Sequence, residues 1–261
     1  MIRALWTAST GMKAQMTNLD VIANNMSNAN TVGFKKSRAD FQDLLYQTLR
    51  SPGESTGPEN LHPVGQQVGV GTKLSSITKQ FTMGSLTRTD RDLDVAIAGK
   101  GFFQVQGTGG EILYTRDGSF KVSESGSIVN SDGLYIADLG TIPSNARAVN
   151  FSPTGQVTYV DETGAETSIG NVQLAMFVNP SGLRATGGNL YQESPASGAP
   201  VLVSPGLSGS GSVQQHFLEM SNVSVVEEMV NMISAQRAYE INSKVIKSSD
   251  EMLSTANQIA R

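Results

Sequence analysis

At 261 residues the chain can bury a core of its own, with room for one large domain or two modest ones. Charged residues are only 16% and the net charge is -4, which removes the electrostatic pull toward phosphate that dominates nucleic-acid affinity, so no nucleic-acid partner is expected. The absence of cysteine excludes disulfides, thiolate metal sites and thiol nucleophiles together.

From the N-terminus, Leu5, Met12, Leu19 and Met26 recur every seven residues, with Ala8 and Ile22 three positions after Leu5 and Leu19. This spacing predicts an amphipathic helix over 2–28 with a coiled-coil-like seam. The segment has no continuous apolar core and no cleavage site, so no ordinary secretory signal is expected. No run in the chain reaches the roughly 18 to 20 apolar residues of a membrane span. The Asn-rich stretch 24–30 should end the helix, because short polar side chains compete for backbone hydrogen bonds. Lys35, Lys36 and Arg38 then form a short basic cluster followed by Asp40 and Asp43, a pattern expected of a solvated helix or turn edge.

Residues 50–71 are rich in Pro, Gly and Ser and read as a linker or irregular arm; residues 194–211 read the same way. Between them the period changes to two. Strands are expected at 95–97, 102–105, 112–114, 127–129 and 173–177, with reversals at Asp117-Gly118, Asp132-Gly133 and Thr163-Gly164. Such spacing favours an antiparallel β domain.

Near the C-terminus Val225, Met232, Tyr239, Ile246, Leu253 and Ala260 resume the seven-residue step. Ser221 or Asn222 is the expected N-cap, and Glu227 and Glu228 suit the positive end of the helix dipole. About 36 residues would make a rod some 54 Å long at ~1.5 Å per residue. The whole is therefore expected to be α+β: terminal helical segments 1–33 and 222–261, a connecting segment 34–93 with an extended arm, an antiparallel β domain 94–193, and a return arm 194–221. Two one-sided apolar seams can pair with each other inside one chain or pool with those of other copies, and periodicity does not separate the two.

Catalytic patterns fail on context. Gly53-Glu-Ser55-Thr-Gly57 matches the nucleophile elbow G-x-S-x-G, yet Pro52 and Pro58 bracket it where a strand and a helix are needed. Asp90, Asp92 and Asp94 alternate like the start of a calcium loop, but Val95 stands where that loop needs glycine and Gly101 where it needs a bidentate Glu. These aspartates are read as a turn into the 95–97 strand. Gly99-Lys100-Gly101 lacks Walker spacing and is read as a kinked strand pair. No catalytic residue, cofactor or metal ligand is assigned, and the chain is not expected to be an enzyme.

The string ANNMSNANTVGF at 23–34, followed by KKSRADFQDLLYQ, resembles the N-terminal signature of the bacterial flagellar rod and hook family. DVAIAGKGFFQV at 94–105, YTRDGSF at 114–120, GNLYQE at 188–193, SGAP at 197–200 and the stretch SNVSVVEEMVNMISAQRAYEINSKVIKSSDEML at 221–253 extend the resemblance along nearly the whole chain, in order. The length, LLYQTLRSPG and HPVGQQVGVGT look most like the distal-rod branch. The resemblance implies a self-assembling structural subunit, exported without a cleaved signal peptide by the flagellum's own type III apparatus. It implies a rigid helical tube that passes torque to the hook, walls the export channel and spans the periplasm to the outer membrane.

The implied partners are other copies of the chain, proximal rod proteins, hook or hook-junction subunits, the L- and P-ring proteins, the rod cap and the export apparatus. Leu5, Met12, Leu19, Ile22, Met26, Met232, Tyr239, Ile246 and Leu253 become the expected self-assembly seam, and 50–71 the expected stiffening arm. A glycine is implied near His216. The alternatives are a proximal-rod or hook-type paralogue, or an exported β-domain adhesion module with the helices as a dimerisation stalk.

Overall fold

A computed structural model describes residues 2–52, 64–107 and 109–259. The chain begins with helix α1, Ile2–Ser27, and closes with helix α2, Val225–Ile259. Helix α1 ends in the Asn-rich stretch, as the competition for backbone bonds dictates. Helix α2 is capped by neither Ser221 nor Asn222 but by Ser224, whose carbonyl accepts from the Glu228 N–H at 3.0 Å and whose hydroxyl accepts from the Glu227 N–H at 3.5 Å. The Asn222 amide is engaged elsewhere: it accepts from the Lys36 N–H and donates to the Gln80 carbonyl.

The chain folds as two compact units. The helical unit takes Met1–Met26, Ser37–Thr78 and Ser224–Arg261; the β unit takes Ser27–Lys36 and Lys79–Val223. In the helical unit α1 and α2 run antiparallel. The Asn25 Nδ2 donates to Glu228 at 3.3 Å, and Gly11 faces the Asn242 amide so closely that a Cβ there would lie 3.0 Å from Nδ2. Gly11 and Asn25 are as far apart along α1 as Asn242 and Glu228 are along α2, in the opposite sense. Strand Ser37–Asp43 pairs with Thr72–Lys79. The Thr10 hydroxyl accepts from the Thr72 N–H at 3.4 Å, so the Thr10, Ala14 and Val21 face of α1 is the one turned to these strands.

The described ends of 50–71 are not irregular throughout. Tyr46–Arg50 and Gln66–Gly69 form an exposed antiparallel ribbon with Tyr46 opposite Gly69. The Gly53–Gly57 motif, Ser55 included, lies outside the described residues.

The β unit is antiparallel. Among the described residues its largest sheet has nine strands around Phe102–Gln106, which pairs with Ile112–Thr115, Leu174–Met176 and Tyr135–Ile136. The two-residue period decides its packing. Phe103 and Leu174 point to one core with Ile97, Phe120 and Val157, and Phe102 and Ala175 point to the other with Tyr114, Phe177 and Tyr191. Residues 194–211 are only partly irregular: Val201–Val203 joins this sheet beside Leu174–Met176, because its β-branched residues fit a pleated surface. Asp132-Gly133 and Thr163-Gly164 sit in reversals, each glycine at φ 80. Asp117-Gly118 does not. The strand ahead of it pairs with Leu190–Gln192, and Gly118 lies against Val95, where a Cβ would fall within 1.6 Å of the carbonyl oxygen.

Candidate assembly surface

The face that α2 turns inward is made of small and polar residues. Glu228, Ala235 and Ser249 are buried, with Asn242 half-buried between them at the same seven-residue step. Such a stripe lets the helices approach closely, and it removes little apolar surface from water. The opposite side of α2 carries Val226, Val230, Ile233, Ile241, Met252 and Ile259, each between 48% and 82% exposed. Their spacings of four, three, eight, eleven and seven residues keep them on one side of a helix of 35 residues, as one apolar stripe. On α1, Trp6 and Met16 are exposed as well.

The seam residues expected from the sequence lie between these two extremes. Ile22 is buried; Leu5, Met12, Leu19, Met26, Met232, Ile246 and Leu253 are half-buried, and Tyr239 is 40% exposed. On α2 they stand four positions on from the buried stripe, so they flank it. The exposed stripe escaped the seven-residue template because α2 is apolar on two sides, and a single heptad register records one of them.

The basic cluster at 35–38 is a solvated edge only at Arg38, which is exposed and pairs with Asp40 at 2.9 Å. Lys35 is fully buried, and its ammonium donates to the Thr82 carbonyl at 2.7 Å and to Glu219. The other Glu219 oxygen accepts from Arg116 at 3.1 Å, and the Gly84 N–H supplies a further donor at 2.9 Å. Burial pushes the Lys35 and Arg116 cations below their ordinary ranges, against the pull of Glu219, and pushes the Tyr191 hydroxyl up to about 12. The VGFKK, YTRDGSF and FLEMSN stretches thus converge on one ion triad. For Lys35 a solvated reading fails because the counter-charge comes from a residue 184 positions away.

Other singled-out residues have local roles. The aspartates 90–94 form the turn into Val95–Ala98, with Asp94 buried. Gly99 and Gly101 adopt φ 133 and 128 where the chain passes from Val95–Ala98 to Phe102–Gln106. His216 adopts φ 63, between Ser212–Gln215 and Phe217–Glu219, which pair with different strands. A glycine would sit there without strain, which is what the sequence comparison implied.

Three family models match the chain: flagella basal body rod protein at residues 5–35, flagellar hook protein FlgE/F/G D1 domain at 96–159, and flagellar basal body rod FlgEFG protein C-terminal at 214–259. Relatives described as flagellar basal-body rod protein FlgG match end to end. The one from Buchnera aphidicola subsp. Acyrthosiphon pisum is 46% identical, covering 99% of this chain and all of its own. Those from Caulobacter vibrioides and Bacillus subtilis are 46% and 40% identical, covering 99% and 97% of both chains.

Proposed function

This chain belongs to the flagellar basal-body rod family represented by FlgG, so it is a structural subunit of the basal body and not an enzyme; from that premise we propose that α1 and α2 of many copies pool into the wall of a helical tube. The apolar stripe of α2 carries this reading. Among the described residues it has no cover, and fully burying each Val, Ile or Met side chain is worth about 1.5 to 3 kcal/mol. Contacts between unlike surfaces of successive copies then propagate into an open filament. The flanking residues Leu5, Met12, Leu19, Ile22, Met26, Met232, Tyr239, Ile246 and Leu253 complete the seam as neighbouring helices close over the edges of the α1/α2 pair.

The tube is the distal part of the rod. It passes motor torque to the hook, walls the export channel and runs from the periplasm to the outer membrane, between proximal rod proteins and hook subunits and inside the L- and P-rings. The ribbon at the ends of 50–71 stiffens it, since a segment reaching across neighbours resists their sliding. The test is Ile233→Asp with Ile241→Asp in place of the wild-type chain. The monomer should keep its helical circular dichroism, while basal bodies seen by electron microscopy should lose the distal shaft and keep the proximal part. A full shaft would overturn the reading.

A further inference from the structure

The buried ion triad of the β unit carries one more cation than carboxylate. Lys35 and Arg116 are cations, Glu219 is the carboxylate between them, and none of the three side chains is more than 3% exposed. Among the described residues Glu219 is the carboxylate within ion-pair distance of either cation. An excess cation held away from water is costly unless an anion reaches it.

Arg116 also has a donor to spare. Its Nη1 is used on Glu219 and its Nη2 on the Gly99 carbonyl at 2.8 Å, but its buried Nε–H has no acceptor. Beside the guanidinium lies a cavity of about 170 Å³ lined by Phe81, Lys100, Phe102, Met176 and Phe177. Lys100 is exposed, so its ammonium is free to turn toward an incoming group. The Phe102 ring lies 5.4 Å from the guanidinium, and Phe81 and Phe177 pack edge-on against Phe102.

We infer that this cavity is a carboxylate site. An Asp or Glu side chain enters it, accepts hydrogen bonds from the Arg116 Nε–H and the Lys100 ammonium, and lays its methylene stem against Phe81 and Phe177. A planar acceptor with two oxygens suits a guanidinium edge, and the cavity has no room for a nucleotide. The carboxylate comes from a second copy of the chain. This part rests on the rod reading: copies bearing a net charge of -4 meet repeatedly along a filament, and acidic side chains are what they bring to a cationic cavity.

The site is tested first in the full-length monomer at neutral pH, by following the Arg116 Nε–H resonance during titration with sodium acetate, against sodium chloride at matched ionic strength. Acetate should give a saturable shift that chloride does not. Lys100→Gln should weaken acetate binding about tenfold, the loss of one charge-assisted hydrogen bond, with circular dichroism unchanged. No acetate-specific shift would overturn the site, whether or not the chain builds rods. The source is tested by Lys100→Glu in flagellated cells, which should reduce complete rods in purified basal bodies severalfold. A full complement of rods from Lys100→Glu, once acetate has been shown to bind the wild-type chain, would overturn the second copy as its source.

Discussion

In the β unit the large apolar side chains are inside: Ile97, Phe103, Phe120, Ile128 and Leu174 are all at most 2% exposed. In α2 the assignment is inverted. Its buried residues are Glu228, Ala235 and Ser249, whereas Val226, Ile241 and Ile259 stand out to solvent. One part of the chain therefore satisfies its own apolar surface, and the other leaves its surface uncovered. A long helix with one antiparallel neighbour can bury a single stripe, so a second apolar stripe must be covered from outside or remain wet.

The largest expected effect lies in the unit that is complete. Glu219→Ala would strand Lys35 and Arg116 without a counter-charge and should cost about 3 to 5 kcal/mol in urea unfolding. A cost below about 1 kcal/mol would show that the triad does not hold the unit together. The two regions can then be set against each other directly. Phe103→Ala should cost about 3 to 5 kcal/mol in the monomer, and Ile233→Ala no more than about 0.5 kcal/mol. Equal costs would break the comparison.

A third, smaller effect is a pH dependence confined to the β unit. The Tyr191 hydroxyl is held up to about 12 by burial, against an ordinary value of 10.0. Between those values the folded state keeps a proton that the unfolded state releases, so stability falls as pH rises through this window, by about 2 to 3 kcal/mol in all. Lys35, pushed down by burial, acts oppositely below its ordinary 10.5, where the unfolded chain holds more protons and stability rises with pH. Tyr191→Phe isolates the first component and should flatten the alkaline decline; an unchanged slope would assign it elsewhere. The smallest effect concerns one backbone position. His216→Gly relieves a left-handed conformation and should stabilise the β unit by about 0.5 to 1 kcal/mol, net of glycine's greater freedom in the unfolded chain. Thermal unfolding would measure it.

Local pattern carried much of this into the sequence. Both helices follow from the seven-residue step, and the strands at Val95, Phe102 and Ile112 follow from alternation between turn residues. What stayed hidden depends on distant partners. Lys35 looks like a surface lysine until Glu219 is brought to it, and Ser221 and Asn222 look like caps until the Asn222 amide is seen bonded to Lys36 and Gln80. The α2 surface was hidden differently: Val226, Val230 and Ile233 were visible as apolar residues, but which side of α2 faces α1 is decided by Gly11 and Asn25 on the other helix.

The absence of cysteine makes the central claim directly measurable. With Ile233→Cys as the sole thiol, maleimide labelling can be compared in the monomer and in purified basal bodies. The thiol should label readily in the monomer and be protected in the rod, as expected for an apolar stripe buried between copies. Equal labelling in both would contradict it.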